Sequence, residues 1–305
     1  MIYDVIIIGS GPAGMTAGIY AVRREMKTLI IGKELGGQLV WANEIENYPG
    51  FESIKSFELI DRIKNQATNF GVEFKNDEVK KIKKLKNGNF LLHTGREEFQ
   101  SKTVIITMGL SPRRLAVPGE VELSGRGVSY CANCDGPFYK QKKVAIIGGG
   151  NSALDAAEFM SKIASEVYLI HRKPEFRAFD VLVGQVNERP NIKTIMNSEV
   201  KLIWGEKNVE SITLRNVDDN KETVVEVDGV FIEIGRIAST DLVGDLVERD
   251  KKNQIITKDH METITSGLFA AGDVVSNEFK QIPIAMGQAT IAALSAYQFI
   301  QMKNK

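Results

Sequence analysis

Cysteine is nearly absent from this chain: 305 residues contain two, Cys131 and Cys134. Two cysteines cannot staple a chain of this length, which excludes the disulfide-framework class of small secreted proteins. Neither sign of charge is in excess. Lys and Arg number 39 and Asp and Glu 39, so the net charge is zero. A general binder of nucleic acid or anionic membrane would carry a basic surplus, so neither partner is expected, though a local basic patch is allowed. No apolar run approaches the ~20 residues of a spanning helix. The start carries Asp4 and a short apolar run with no basic region, unlike a secretory signal. The expected compartment is the cytoplasm, where stable structural disulfides are disfavoured. Proline is scarce at 8, whereas glycine reaches 27. The 43% hydrophobic and 26% charged residues are ordinary for a soluble globular protein, and the length predicts about two domains.

The glycines are placed where backbone must approach a phosphate. Residues 5–8 read as an apolar strand, followed at once by Gly9, Gly11 and Gly14 with Pro12 and Ala13 between them, then a helical stretch to about residue 24 and a second strand over 27–31. In this spacing the first glycine makes the turn, the second admits the pyrophosphate, and the third lets helix pack on strand. The following helix N-terminus offers free N–H groups to the anion. An acid ~20 residues further on takes the ribose in such sites; Glu34 stands at that distance from Gly14, as a candidate ligand or simply a solvated loop residue. The unit recurs once: a strand over 144–147, Gly148, Gly149 and Gly150 with Asn151, Ser152 and Ala153, a helix over 154–162, and a strand over 167–170. At its acid position stand His171, Arg172 and Lys173, with Arg177 following. Cations there suit a 2′-phosphate and favour NADPH over NADH; a plain basic surface run is the competing reading. His171 is expected to stack or pack. Residues 104–109 and 267–273 form two further strands, the latter ending in Gly272 and Asp273, where a carboxylate can hold ribitol or sugar hydroxyls. Two dinucleotide units in one chain suggest a flavin beside a pyridine nucleotide. Residues 70–103 and 200–235 read as short antiparallel segments, with 224–234 strand-like throughout, and 283–300 as a helix.

Cys131, Ala132, Asn133, Cys134 and Asp135 allow three readings. Zinc needs four ligands, and His93, His171 and His260 are isolated; no metal is expected. A structural disulfide would close only a tiny loop and stabilise little. A redox dithiol is favoured, since Cys-x-x-Cys spacing suits reversible disulfide formation. Asp135 adjoins the pair and can move a proton to or from a leaving thiolate.

Together these motifs, with Gly36, Gly37, Gln38 and Leu39, with Glu46 to Gly50, and with Gly136 after Asp135, closely resemble the low-molecular-weight, NADPH-dependent thioredoxin reductases of bacteria and archaea, over essentially the whole length. The resemblance implies an α/β fold of two Rossmann-like dinucleotide-binding domains, each a three-layer ββα arrangement. The FAD domain is discontinuous, 1–112 and 241–305, and the NADPH domain, 113–240, is inserted into it, with hinges near 112–118 and 237–242. It implies FAD held by the first turn, Glu34, Gly37, Gln38, Asn47, Thr107, Gly109, Gly272, Asp273, Lys280, Gln281 and Ile282. NADPH falls to Gly148, Gly150 to Ala153, Asp155, His171, Arg172, Lys173 and Arg177. Cys134 then faces the flavin, Cys131 attacks oxidised thioredoxin, and Asp135 matches the family's acid; a homodimer is also implied. Lys173, Asp155 and Lys280 stand where the family usually has Arg, Glu and Arg. Lysine carries charge without a bidentate fork, which predicts looser NADPH selectivity. The alternative on this scaffold is a flavin-dependent dithiol oxidase or reductase with another donor, ferredoxin or NADH, or another disulfide substrate.

Overall fold

The structure, a computed structural model, describes residues 2–41 and 44–303. It separates into two compact units. One joins the residues up to Ser111 with those from Ile237 onward; the other is Pro112–Arg236.

The first unit is built on a parallel sheet. Ile2–Ile8 lies between Thr28–Gly32 and Glu98–Ile106, and Glu73–Asn76 extends the sheet beyond Thr28–Gly32. Glu98–Ile106 is long enough to serve two partners on its far edge. Its first half pairs antiparallel with Phe90–Thr94, which pairs in turn with Val79–Lys84, and its second half pairs parallel with Leu268–Ala270. The expected antiparallel segments of 70–103 are therefore continuous with the parallel sheet. Its strands read as unbroken apolar runs because both faces are covered. Successive residues alternate between the two cores. Val5, Ile7, Ile30 and Ile105 meet helices Pro12–Val22, Ser56–Asn69 and Ile282–Lys303, whereas Ile6, Ile8, Leu29 and Ile106 meet Phe90, Leu92, Val243 and Ile255. Ala289, Ala292, Ala293 and Ala296 are buried on the last helix, small enough for it to lie close on its neighbours.

The second unit has three layers. Its parallel sheet runs Val128–Ser129, Gly229–Ile232, Lys143–Ile147, Glu166–Ile170, Ile192–Ile195. Helices Asn151–Ser161 and Asp180–Asn187 cover one face through Ile146, Leu169 and Phe231. An antiparallel sheet of Ser198–Trp204, Ser211–Asn216 and Glu222–Glu226 covers the other through Ile147, Val230 and Ile232. Residues 224–234, expected as one strand, are divided between these two sheets. Val224 is exposed on an outer strand while Val230 to Ile232 are buried in the middle layer, and the chain must change layers at Val227 and Asp228, where the Asp228 N–H donates to Lys143 O at 2.8 Å.

The chain crosses between the units twice, after Ser111 and after Arg236. Just past the first crossing it is fastened inside the second unit. Glu120, fully buried, accepts from the N–H groups of Leu115 at 3.1 Å and Ala116 at 2.6 Å, and Ile203 N–H donates to Pro118 O at 3.0 Å. Just past the second crossing, Ala238 and Val243 are buried in the core of the first unit.

Candidate active site

In the first unit the glycine turn sits at the carboxyl ends of the parallel strands, where open α/β sheets take their ligands. The packing there is backbone on backbone. A Cβ on Gly14 would stand 1.9 Å from Gly9 O, and one on Gly9, at φ +115°, would stand 2.3 Å from Thr107 O. Thr107 closes the strand end by donating from Oγ1 to Ile8 O at 2.9 Å. Helix Pro12–Val22 begins after Gly11 with proline in its first turn and no side-chain cap, so its leading N–H groups, Ala13 and Gly14 among them, suit an anion. Gly37, at φ +54°, lays its backbone against Gly11: a Cβ there would be 3.2 Å from Gly11 Cα.

The later segment of the chain completes this cradle. Gln38 Nε2 donates to Asp273 Oδ2 at 2.7 Å, and Asn47 Nδ2 donates to Gln281 Oε1 at 3.2 Å. Gly109, at φ +64°, lies where a Cβ would meet Gln38 Nε2 at 3.5 Å, and one on Gly272 would meet Ala13 Cβ at 3.0 Å. Lys280 donates from Nζ to Val275 O at 2.6 Å, and burial pushes its ammonium below its ordinary value. Ile282 opens the last helix. Glu34 is exposed beyond Thr28–Gly32, and its carbonyl accepts from Ser10 Oγ at 2.8 Å. Ser10, buried inside the glycine turn, was not among the sequence candidates; it locks the Glu34 loop onto the turn. The bare-backbone cradle, the uncapped helix and the Asp273 carboxylate fit a flavin dinucleotide.

The second unit repeats the turn with different dressing. A Cβ on Gly148 would stand 2.2 Å from Glu233 O and 2.8 Å from Ala153 Cβ, and Ala153 N–H donates to Gly150 O at 3.0 Å. His171 lies on Gly149, where a Cβ would be 2.3 Å from Nδ1, and its ring stacks on Phe176 at 5.9 Å. Burial first, then the charges of Arg172, Arg177 and Lys173, hold the His171 imidazole below its usual range. All three cations thus surround one ring. They are exposed and make no ion pair among the described residues. Arg177 N–H donates to Gly149 O at 2.7 Å, drawing its loop over the turn. Asn151 Oδ1 accepts from Phe179 N–H at 3.0 Å, and Ser152 is exposed in the first turn of the helix. Burial, and then Glu158, raise the Asp155 carboxyl. The three unpaired cations beside an uncapped helix fit a phosphorylated pyridine nucleotide.

Cys131 and Cys134 are joined in a disulfide at S–S 2.15 Å. Cys131 precedes the short helix Ala132–Asp135, and its sulfur accepts from Cys134 N–H at 3.1 Å. Its own N–H donates to Ser129 Oγ at 3.0 Å. Cys131 is buried, while Cys134 and Asp135 are partly exposed. Gly136 presses this turn onto the nucleotide helix: a Cβ there would stand 2.6 Å from Met160 Sδ. The disulfide turn is therefore packed on the helix that follows the second glycine turn, at its C-terminal end. Two acids outside the sequence candidates brace it. Tyr130 OH donates to Glu120 Oε1 at 2.7 Å, and the Glu233 carboxylate accepts from Ala132 N–H. Among the described residues no cluster of three or more His, Cys, Asp or Glu is placed to hold a metal, and no helix is long and apolar enough to cross a membrane.

The pyridine nucleotide-disulphide oxidoreductase family profile matches residues 3–289. The Bacillus subtilis thioredoxin reductase is 38% identical over 302 residues, covering 98% of this chain and 95% of that protein. The Mycobacterium leprae bifunctional thioredoxin reductase/thioredoxin is 39% identical over 302 residues, covering 98% of this chain and 66% of that protein. Among solved structures, the Lactococcus lactis thioredoxin reductase superposes with a TM-score of 0.87 at 39% identity, covering 98% of this chain and 99% of that one.

Proposed function

The chain belongs to the pyridine nucleotide-disulphide oxidoreductase family, and we propose that it is a thioredoxin-disulfide reductase, carrying electrons from NADPH through FAD and the Cys131–Cys134 pair to oxidised thioredoxin. The observation that carries this reading is the seat of the disulfide, pressed by Gly136 on Met160 against the very helix whose N-terminus forms the second glycine turn. A structural disulfide closing so small a loop has little to stabilise.

Bound flavin supplies the relay between a two-electron hydride donor and thiol chemistry. The chain supplies the rest. The turn of Gly9, Gly11 and Gly14 and its uncapped helix hold one pyrophosphate, and Asp273, oriented by Gln38, accepts from hydroxyls of the same cofactor. Gly148 and Gly150 to Ala153 hold the second pyrophosphate, and Arg172, Lys173 and Arg177 take the 2′-phosphate. Two electrons delivered to the disulfide break the S–S bond and leave two sulfurs and one negative charge after uptake of one proton. The Cys134 N–H on Cys131 Sγ favours the charge at Cys131. The Cys131 thiolate attacks the partner disulfide and forms a mixed disulfide; the Cys134 thiolate then attacks Cys131, reforms the internal bond and releases dithiol thioredoxin. Asp135 shuttles the protons. Cys131 is buried, so its attack requires a motion that uncovers it, with the crossings after Ser111 and Arg236 as hinges. The functional form is a cytoplasmic homodimer.

Lys173 favours a second reading in one respect: an ammonium selects the 2′-phosphate less stringently than a guanidinium, leaving room for NADH as donor. Anaerobic titration of the purified flavoprotein with NADPH, NADH and reduced ferredoxin separates the two. NADPH is expected to bleach the flavin at the lowest concentration. Bleaching by another donor alone overturns the assignment.

A further inference from the structure

Glu233 stands where the two chemistries of the second unit meet. It directly follows the strand Gly229–Ile232, which lies beside Lys143–Ile147 on the side opposite Glu166–Ile170. The crevice where strand order reverses about Lys143–Ile147 is where such sheets take their ligand. The Glu233 main chain forms part of its floor: the N–H donates to Ile147 O at 2.8 Å, and the carbonyl lies against Gly148. Its side chain turns to the redox helix instead, where the carboxylate accepts from Ala132 N–H, one residue from Cys131.

Resting on the reading of Cys131 as the thiol that attacks the partner disulfide, we propose that Glu233 is a positioning residue of the dithiol: its carboxylate, fixed on the Ala132 N–H, sets the pH at which Cys131 becomes a thiolate. A negative charge beside a sulfur disfavours a second negative charge there. The Cys134 N–H on Cys131 Sγ works in the opposite direction. The groups that act on the Glu233 carboxylate are few. Arg236, on its own segment, favours its ionised form, and so does the Ala132 N–H on the redox helix, beside Cys131 in the chain; the glycine turn carries no ionisable side chain. Burial outweighs the first two and pushes the Glu233 carboxyl up to about 7.

The test uses the full-length flavoprotein with Cys134→Ser, which leaves Cys131 as the single thiol. Its rate of alkylation by iodoacetamide is followed against pH, alone and with Glu233→Gln or Glu233→Ala. Gln keeps an acceptor for Ala132 and removes the charge; Ala removes both. Both variants are expected to lower the apparent pKa of Cys131 by about one unit and raise alkylation at neutral pH roughly five- to tenfold. Wild-type profiles in both variants overturn the proposal. A shift with Ala alone also overturns it, because only the cap would then matter. The assay uses neither NADPH nor thioredoxin, so a chain that failed to reduce thioredoxin would leave this result standing by itself.

Discussion

The side-chain amide of Gln38 donates to the carboxylate of Asp273 at 2.7 Å, joining residues 235 positions apart in the chain. This bond ties the loop beside the first glycine turn to the end of Leu268–Ala270. The proposed cofactor cradle of the first unit is thus joined from both ends of the chain.

Asp273→Asn removes a charged acceptor while keeping size. A hydrogen bond to a charged group contributes about 1.5–3 kcal/mol, so flavin affinity should fall roughly tenfold or more. The ratio of flavin to protein after dialysis against cofactor-free buffer checks this; full retention contradicts it.

Gly14→Ala places a methyl 1.9 Å from Gly9 O, a backbone atom that cannot rotate away. Overpacking of this kind costs about 1–3 kcal/mol. Thermal unfolding should move down by several degrees and flavin should be lost on purification, whereas Gly150→Ala, which meets open space, should unfold as the wild type does.

Arg172→Gln with Arg177→Gln removes two of the three cations around His171. The KM for NADPH should rise on the order of tenfold or more, while that for NADH stays within about twofold, since only NADPH carries the 2′-phosphate. Lys173→Arg should move selectivity the other way. Steady-state kinetics with both nucleotides read these effects.

Glu233 also gives stability a pH dependence. Its carboxyl is raised to about 7 from an ordinary 4.5. The folded chain therefore binds this proton more tightly than the unfolded chain, and its contribution to stability falls as pH rises from 4.5 to about 7. Glu233→Gln lacks this loss. Its stability relative to wild type should improve by on the order of 2 kcal/mol between pH 5 and 8, read by chemical denaturation at each pH. A pH-independent difference contradicts the assignment.

The parallel α/β units were legible because each glycine turn falls between an apolar strand and a helix, and chain order alone marks that context. Other features have no such local signature. Residues 224–234 carry apolar side chains throughout, and nothing in that run shows that Glu222–Glu226 and Gly229–Ile232 belong to different layers. Glu233 reads as one acid ending an apolar strand; its partner, Ala132, is distant in sequence and contributes only a backbone N–H. Glu120 lies in a polar stretch that looks solvated, yet it is fully buried on two backbone N–H groups and Tyr130. Ser10 fills an unspecified position of the glycine motif. For Glu233 and Ser10 the role of the side chain depends on a backbone contact distant in sequence, and for Glu120 on burial that a polar stretch does not signal; spacing encodes neither.

The electron path through Cys131 and Cys134 is tested most directly by NADPH-dependent reduction of a thioredoxin disulfide, with the flavin spectrum followed in the same anaerobic cuvette. The wild-type protein should turn over. Cys131→Ser should lose turnover entirely while NADPH still bleaches its flavin. Undiminished thioredoxin reduction by Cys131→Ser, or a wild-type flavin that NADPH leaves oxidised, would contradict the account.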